Sequence, residues 1–288
     1  MRRIAILGIA TLGVILCGYR APSSIASTFT IVDSPISSAT FGTFAYGIND
    51  SGQIAGFTYD GGGLAHGFLY LNGKFTSIDA PEATDTYAYG INNDGQIVGM
   101  FVDGSGTHGF VYGGGNFTTI DAPGAVYGTT AYGINNHGQI VGYFADATGT
   151  HAFLYTDAAF TAIDAPSGSN TVAYGINDSG HIVGTFRDRK GVQSFLFLDG
   201  NFNTVDGPSG ASGTVAYGIN AVGRVVGTYY DGMGIHGFEY SDGVFGAIDI
   251  QAYGNYGTAV HGISNKGGVV GTVYDAKGVL YGFLTQVE

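Results

Sequence analysis

The sequence predicts an all-β chain that folds as a six-bladed β-propeller with four antiparallel strands in each blade. Three observations support this prediction. A unit of about 43 residues recurs six times, starting near positions 45, 88, 131, 173, 216 and 260. Each of the first five units holds four short apolar segments separated by turn residues, and the sixth holds the first three. A copy of the fourth segment stands alone before the first complete unit. Units of this length with four strands are typical of propeller blades.

The third unit shows the pattern that defines each strand. Its first segment reads A-Y-G-I-N, and the others resemble G-x-I-V-G, H-G-F-x-Y and F-T-x-I-D-A-P. These segments predict strands at roughly 130–135, 139–146, 151–155 and 160–164. The turn Asn136-His137-Gly138 is too short for anything but an antiparallel connection. A parallel β-helix is therefore disfavoured.

The isolated segment at 29–35 is expected to complete the last blade. Six copies of every strand exist only if this segment pairs with the unit that begins near 260. Such a pairing would join the two ends of the chain and leave no blade with an unpaired edge. The alternative is an open array of sheets, which leaves the segment at 29–35 unexplained.

Recurring small and aromatic residues indicate how the blades pack. A glycine in every first strand is expected near the axis, where a missing side chain permits close approach. A second glycine recurs in every second strand. A phenylalanine in every third strand is expected to fill the space between blades. The first set is Gly47, Gly90, Gly133, Gly175, Gly218 and Gly262, and the aromatic set is Phe68, Phe110, Phe153, Phe195, Phe238 and Phe283.

The N-terminus predicts export. Arg2 and Arg3 precede an apolar run at 4–16 that is short for a membrane span and typical of a signal peptide. We expect residues 1–26 to be removed after Ala26, leaving a single propeller domain at 27–288 in the periplasm or outside the cell. Lipid attachment at Cys17 is the alternative, and an uncleaved anchor is a third.

Composition excludes several classes of function. The only cysteine lies in the signal region, so the mature chain has no disulfide and no thiol nucleophile. The net charge of −12 disfavours nucleic acids and direct binding to anionic membrane surfaces. Packing alone must hold the domain together.

The combination G-I-N-x-x-G-x-I-V-G followed by H-A-F-L-Y resembles the HAF family of bacterial extracellular repeat proteins. His151-Ala152-Phe153 matches the motif literally, and the histidines at 66, 108 and 236 begin H-G-F instead. The fourth unit departs with Gln193, and the sixth departs with Tyr281. The resemblance implies an exported, propeller-like protein of bacterial origin and supplies no catalytic residues.

Two aspartates recur in every unit and define the candidate site. One set follows the second strand and comprises Asp60, Asp103, Asp146, Asp188, Asp231 and Asp275, and the other follows the fourth strand and comprises Asp33, Asp79, Asp121, Asp164, Asp206 and Asp249. These positions and His66, His108, His151 and His236 fall on one face of a propeller. The residues either pin loops by hydrogen bonding or contact a ligand. Calcium is an alternative use of the carboxylates, although no EF-hand loop is present.

Two departures from the repeat are candidates for special roles. Arg187, Arg189 and Lys190 concentrate positive charge on one loop of the fourth unit. They are either solvated or anchor an acidic group of a partner or glycan. His261 replaces a tyrosine that the other five units share, and marks the last blade.

The sequence favours a monomeric, non-catalytic binding propeller that needs no cofactor. Its ligand would be a glycan or an extracellular or envelope protein, held through the Asp/His-rich face. A protein-interaction scaffold without glycan binding is the first alternative. A carboxylate-dependent hydrolase or lyase is the second alternative. It ranks below the first because the short, similar loops offer neither a lid nor a nucleophile motif.

Overall fold

A computed structural model describes residues 28–38, 41–166, 168–250 and 257–287 of the 288-residue chain. The predicted signal peptide, its cleavage point after Ala26 and the alternative lipid site at Cys17 lie outside these residues. The described residues form 24 β-strands and no helix. None of them therefore belongs to a helix that could cross a membrane.

The strands form six four-stranded antiparallel sheets, which confirms the predicted six-bladed propeller. The first strand, β1 (Phe29–Val32), belongs to the last blade. Blade 1 contains β2 (Thr43–Ile48), β3 (Ile54–Tyr59), β4 (Ala65–Leu71) and β5 (Lys74–Ser77). Blade 2 contains β6 (Asp85–Ile91), β7 (Ile97–Asp103), β8 (Gly106–Gly113) and β9 (Asn116–Thr119). Blade 3 contains β10 (Thr129–Ile134), β11 (Ile140–Ala145), β12 (Thr150–Thr156) and β13 (Ala159–Ala162).

The other three blades repeat this order. Blade 4 contains β14 (Ser169–Ile176), β15 (Ile182–Asp188), β16 (Gly191–Leu198) and β17 (Asn201–Thr204). Blade 5 contains β18 (Gly213–Ile219), β19 (Val225–Tyr230), β20 (Ile235–Ser241) and β21 (Val244–Ile248). Blade 6 contains β22 (Thr258–Ile263), β23 (Gly268–Tyr274) and β24 (Leu280–Gln286), and β1 completes it.

The N-terminal strand closes the ring as predicted. Strand β1 pairs antiparallel with β24, with Phe29 opposite Thr285 and Ile31 opposite Phe283. Val32 is fully buried and packs in one cluster with Ala45 and Phe68 of blade 1. The two ends of the chain therefore share one sheet, and that sheet packs on the first blade.

The fourth strands are shorter than predicted. The sequence suggests a strand at 160–164 in blade 3, whereas β13 ends at Ala162. The backbone of Ile163 still donates to Ala152, but the amide of Ala165 already donates to the Thr171 hydroxyl at the start of the next blade. The chain has left the sheet by this point, so the recurring aspartates lie one or two residues beyond the strand.

Each first strand carries a bulge at the shared tyrosine position. In blade 1 the pairing with β3 passes from Ala45 directly to Gly47, and the same shift occurs in every blade. A bulge leaves its extra residue unpaired and re-aims its side chain. The re-aimed side chains form a closed ring of aromatic neighbours whose ring centroids are 4.2–5.3 Å apart. This axial ring consists of Tyr46, Tyr89, Tyr132, Tyr174, Tyr217 and His261.

The glycine after each bulge permits the close approach predicted near the axis. A Cβ atom on Gly47 would lie 2.5 Å from the carbonyl oxygen of Tyr89 in blade 2. The same contact recurs around the ring, and a Cβ atom on Gly262 would lie 2.3 Å from the Tyr46 oxygen. Backbone therefore packs on backbone between neighbouring first strands.

The recurring phenylalanines fill the space between blades. All six are at most 3% exposed. Phe110 of blade 2, for example, packs in one cluster with Ala55 and Ile78 of blade 1. The predicted role of these residues is confirmed.

A belt of asparagine and aspartate side chains links the blades at the face where first strands end. The buried side-chain amide of Asn49 donates to the Asn92 backbone carbonyl of the next blade at 3.0 Å, and the side-chain amide of Asn92 donates to the Asn135 carbonyl at 3.2 Å. The residues that follow these asparagines form a second layer, in which the backbone amide of Asp50 donates to Asn93 Oδ1 at 2.9 Å. In the sequence, the G-I-N motif indicates only the start of each repeat and does not predict that its asparagine bonds to the next blade.

Candidate functional site

The candidate residues lie on the face where second and fourth strands end, which we call the Asp face. In four blades the histidine lies between two aspartates, one after the second strand and one after the fourth. His108 Nδ1 lies 2.8 Å from Asp121 Oδ2, and its Nε2 lies 3.4 Å from Asp103 Oδ1. His151 repeats this geometry at 2.7 and 3.4 Å with Asp164 and Asp146. We call each such group an Asp–His–Asp triad.

The triads of blades 1 and 5 have a longer contact between the histidine Nδ1 and the aspartate after the fourth strand. His66 lies 3.3 Å from Asp79 and 3.5 Å from Asp60. His236 lies 3.1 Å from Asp249 and 3.3 Å from Asp231. In blades 2 and 3 the hydroxyls of Ser105 and Thr148 lie 2.8 Å from the histidine Nε2. Blade 5 has Met233 at this position, which offers no hydroxyl.

The aspartate after the second strand orders its own hairpin. Asp103 Oδ1 accepts hydrogen bonds from the backbone amides of Ser105 and Gly106, and Asp146 Oδ1 accepts those from Thr148 and Gly149.

The hydrogen bonds of the triad also shift its pKa values. Hydrogen bonds from the Ser105 side chain and backbone lower the pKa of Asp103. The hydrogen bond to Asp121 raises the pKa of His108, and the bond to Asp164 does the same for His151. A protonated histidine is therefore stabilised between two carboxylates.

Blades 4 and 6 keep this aspartate without the histidine. Asp188 Oδ1 accepts the Lys190 amide at 2.7 Å, and Asp275 Oδ1 accepts the Lys277 and Val279 amides at 2.8 Å. Pinning of the hairpin therefore does not need the triad. The histidine adds a link from the hairpin to the segment after the fourth strand.

In the described part of the chain, clefts open on the Asp face beside three of these hairpins. Cleft 2/3 has a volume of about 270 Å³ and lies between the start of β8 and the linker from β9 to β10. Cleft 4/5 has a volume of about 380 Å³ and lies between the start of β16 and the linker from β17 to β18. Cleft 5/6 is smaller, at about 120 Å³, and contains His236 and Asp249.

Large apolar side chains are exposed on the same face, which makes it less polar than the sequence suggests. Tyr127 and Val126 are 70% and 66% exposed and line cleft 2/3. The tyrosines of the A-Y-G-I-N motif are not available here, because they form the axial ring. The exposed apolar residues on the Asp face are Ile36, Phe41, Leu64, Val126, Tyr127, Val192, Tyr230 and Met233.

The cationic loop predicted in blade 4 lies at the tip of the β15–β16 hairpin. Arg187, Arg189 and Lys190 are all exposed. Lys190 lines cleft 4/5 together with Gln193 and Asp206.

No group of three or more His, Cys, Asp or Glu side chains among the described residues is arranged to hold a metal ion. In the Asp103–His108–Asp121 triad, hairpin amides bond to Asp103 Oδ1 and the histidine bonds to Asp121 Oδ2.

The opposite face has one small depression on the axis, with a volume of about 70 Å³. It is lined by the belt residues, including Asp50 and Asp178, whose carboxylates accept hydrogen bonds from neighbouring blades. The larger clefts make the Asp face the candidate binding surface.

Comparisons with known proteins show the fold and no family. The sequence matches no family model and no curated protein. TolB from Acinetobacter baumannii is similar over 82% of this chain and 64% of its own, with a TM-score of 0.57 and 10% identity. The β-propeller domain of the Trilobed protease from Pyrococcus furiosus is similar over 84% and 80%, with a TM-score of 0.54 and 12% identity. The fucose-specific lectin from Aleuria aurantia is similar over 82% and 88%, with a TM-score of 0.52 and 14% identity.

Proposed function

We propose that this protein is a non-catalytic binding propeller that recognises glycans through clefts on its Asp face. The observation that carries the proposal is the composition of cleft 2/3. A half-exposed carboxylate, Asp121, stands beside two exposed apolar side chains, Val126 and Tyr127. Sugars present hydroxyl donors at their edges and C–H groups on their faces, and this cleft offers a partner for each.

The Asp–His–Asp triad prepares the carboxylate for this role. His108 holds one oxygen of Asp121 at 2.8 Å, and the side chain remains 42% exposed. A carboxylate has acceptor sites for about four hydrogen bonds, so the bond to histidine leaves capacity for sugar hydroxyls. The carboxylate is fixed in place before a ligand arrives, which lowers the entropic cost of binding.

The shape of the molecule also suits weak, repeated binding. Related clefts recur around one face, and several weak contacts to a polysaccharide would add in avidity. The fucose-specific lectin shows that a propeller of similar fold binds a sugar. Export forms part of the proposal and rests on the N-terminal pattern at 1–26.

The proposal is tested by screening the purified protein on a glycan array, once with calcium and once with a chelator. We expect a saturable hit that does not depend on calcium. The variant Tyr127→Ala should weaken binding by about 2- to 12-fold, because stacking on an aromatic ring contributes about 0.5–1.5 kcal/mol. Val222→Ala is the matched control, since Val222 is exposed on the opposite face. The absence of any hit would contradict glycan recognition and favour a protein partner.

A further inference from the structure

Blade 4 breaks the repeat in a way that changes the charge of its cleft. Gln193 stands where four other blades have the triad histidine. In the same hairpin Arg187, Arg189 and Lys190 are exposed, although the chain has only ten Lys and Arg residues and a net charge of −12. None of the three forms an ion pair with any residue in the described part of the chain. Their charges are therefore available to an external anion.

Cleft 4/5 is the largest of the three clefts, and of the three cations Lys190 lines it. Its volume of about 380 Å³ lies within the range of small-molecule sites. Lys190 and Gln193 line one wall, and Asp206 and Ser212 line the other. Asp206 corresponds to the aspartates that bind histidine in the triads, but here it is exposed and makes no hydrogen bond to another described residue.

We propose that cleft 4/5 binds an acidic saccharide, with Lys190 holding its carboxylate and Asp206 accepting its hydroxyls. The Lys190 ammonium group supplies strong charge-assisted hydrogen bonds to a carboxylate. The exposed carboxylate of Asp206 disfavours a ligand that is anionic throughout, such as an acidic peptide. A sugar with one carboxylate and several hydroxyls per residue satisfies both sides of the cleft.

This proposal rests on the proposed function, because an acidic saccharide is a glycan and cleft 4/5 lies on the same Asp face. The two can fail separately, since Tyr127→Ala tests cleft 2/3 and Lys190→Ala tests cleft 4/5.

The test uses trigalacturonic acid as the probe and its methyl ester as the uncharged control, in calorimetric titrations of the full protein. We expect the acid to bind about tenfold more tightly than the ester. Raising the salt concentration from about 50 to about 300 mM should weaken binding of the acid and leave the ester unaffected. The variant Lys190→Ala should reduce the affinity for the acid to that for the ester.

Lys277→Ala provides a matched control within the same fold. Lys277 occupies the position of Lys190 in the blade 6 hairpin and is likewise exposed, and its amide likewise bonds to the preceding aspartate. Its loss should change affinity by less than about twofold, and thermal melts would verify that every variant is folded. Equal binding of acid and ester, or an equal effect of Lys277→Ala, would overturn the proposal. Tighter binding of triglutamate than of trigalacturonic acid would overturn the saccharide assignment, and no saturable binding would overturn the site.

Discussion

His261 shows how one substitution changes the chemistry of the axial ring. Its ring stacks on Tyr46 at 4.2 Å, and its Nδ1 lies 3.0 Å from the carbonyl oxygen of Ala45 in blade 1. Because the carbonyl can only accept, we assign the proton to Nδ1. Burial lowers the pKa of His261 to about 4. The neighbours Tyr46 and Tyr217 stay neutral, because burial raises the pKa of both side chains.

The depressed pKa predicts a loss of stability on acidification. Between pH 6.5 and pH 4 the unfolded chain binds a proton at His261 and the folded chain does not, so stability falls as pH falls. The full effect is roughly 3 kcal/mol, because burial lowers the pKa from 6.5 to about 4. Replacing the residue by the repeat's own choice, His261→Tyr, should remove this slope. Urea titrations of both proteins from pH 4 to pH 8 measure it.

The triad histidines do not obscure this comparison. Because the pKa values of His108 and His151 are raised, their contribution is complete below pH 6.5 and is lost as pH rises above it. Asp103 and Asp146 have lowered pKa values, so their contribution is lost only as pH falls below about 4. Equal pH slopes for wild type and His261→Tyr between pH 4 and 6.5 would contradict the predicted role.

Among structural elements, the belt joins each blade to the next through side chains. The second layer runs from Asp50 through Asn93 and Asn136 to Asp178, with each backbone amide bonded to the next side-chain oxygen. It resumes where the Ala221 amide donates to Asn265, and it closes where Asn265 donates to Asp50 at 2.7 Å. Blade 5 has Ala221 at this position and offers no side-chain acceptor. The second layer of the belt is therefore interrupted between blades 4 and 5, while the first layer continues there through Asn177, whose side-chain amide donates to the Asn220 carbonyl.

Completing the belt should stabilise the protein. The side-chain oxygen introduced by Ala221→Asn is positioned to accept the Asp178 amide, which makes no hydrogen bond within the described chain. One such bond contributes about 1 kcal/mol and should raise Tm by about 2–4 °C. Val222→Asn serves as control, because Val222 occupies the same turn and is 81% exposed. A lower Tm for Ala221→Asn, or equal gains in both variants, would show that the belt does not act as described.

The strands could be predicted from the sequence, and the belt could not. Apolar alternation and glycine turns fix the strands of a blade locally, as in β10 and β11. Asn49 and Asn92 are 43 positions apart, and their contact appears only after six sheets are arranged around an axis. The same limit applies to the site. The sequence predicts that His108 and the two aspartates lie on one face. That one imidazole bridges both carboxylates depends on the distances between the hairpin and the segment after the fourth strand, which the sequence does not give.

For the whole molecule, stability depends on closing the ring without a covalent link. Three features close the ring at different depths. His261 stacks on Tyr46 at the axis, Asn265 bonds to Asp50 in the belt, and β1 pairs with β24 at the outer edge. The first two join blade 6 to blade 1, and equivalent contacts join the other blades except where the second layer of the belt is interrupted between blades 4 and 5. Only β1 brings the first residues of the domain into the last sheet.

A charge on the inner face of β1 should therefore open the propeller. Val32 is fully buried between blades 6 and 1, so Val32→Asp places a carboxylate where no cation can pair with it. Burial of an unpaired charge should cost about 3 kcal/mol or more, and loss of β1 would leave β24 as an unpaired edge. We expect a large decrease in the urea midpoint, together with concentration-dependent association in light scattering. Thr30→Asp adds the same charge at an exposed position of β1 and should leave the midpoint nearly unchanged. If both variants unfolded at the wild-type midpoint, β1 would be an accessory strand and the aromatic ring and belt would suffice to hold the ring closed.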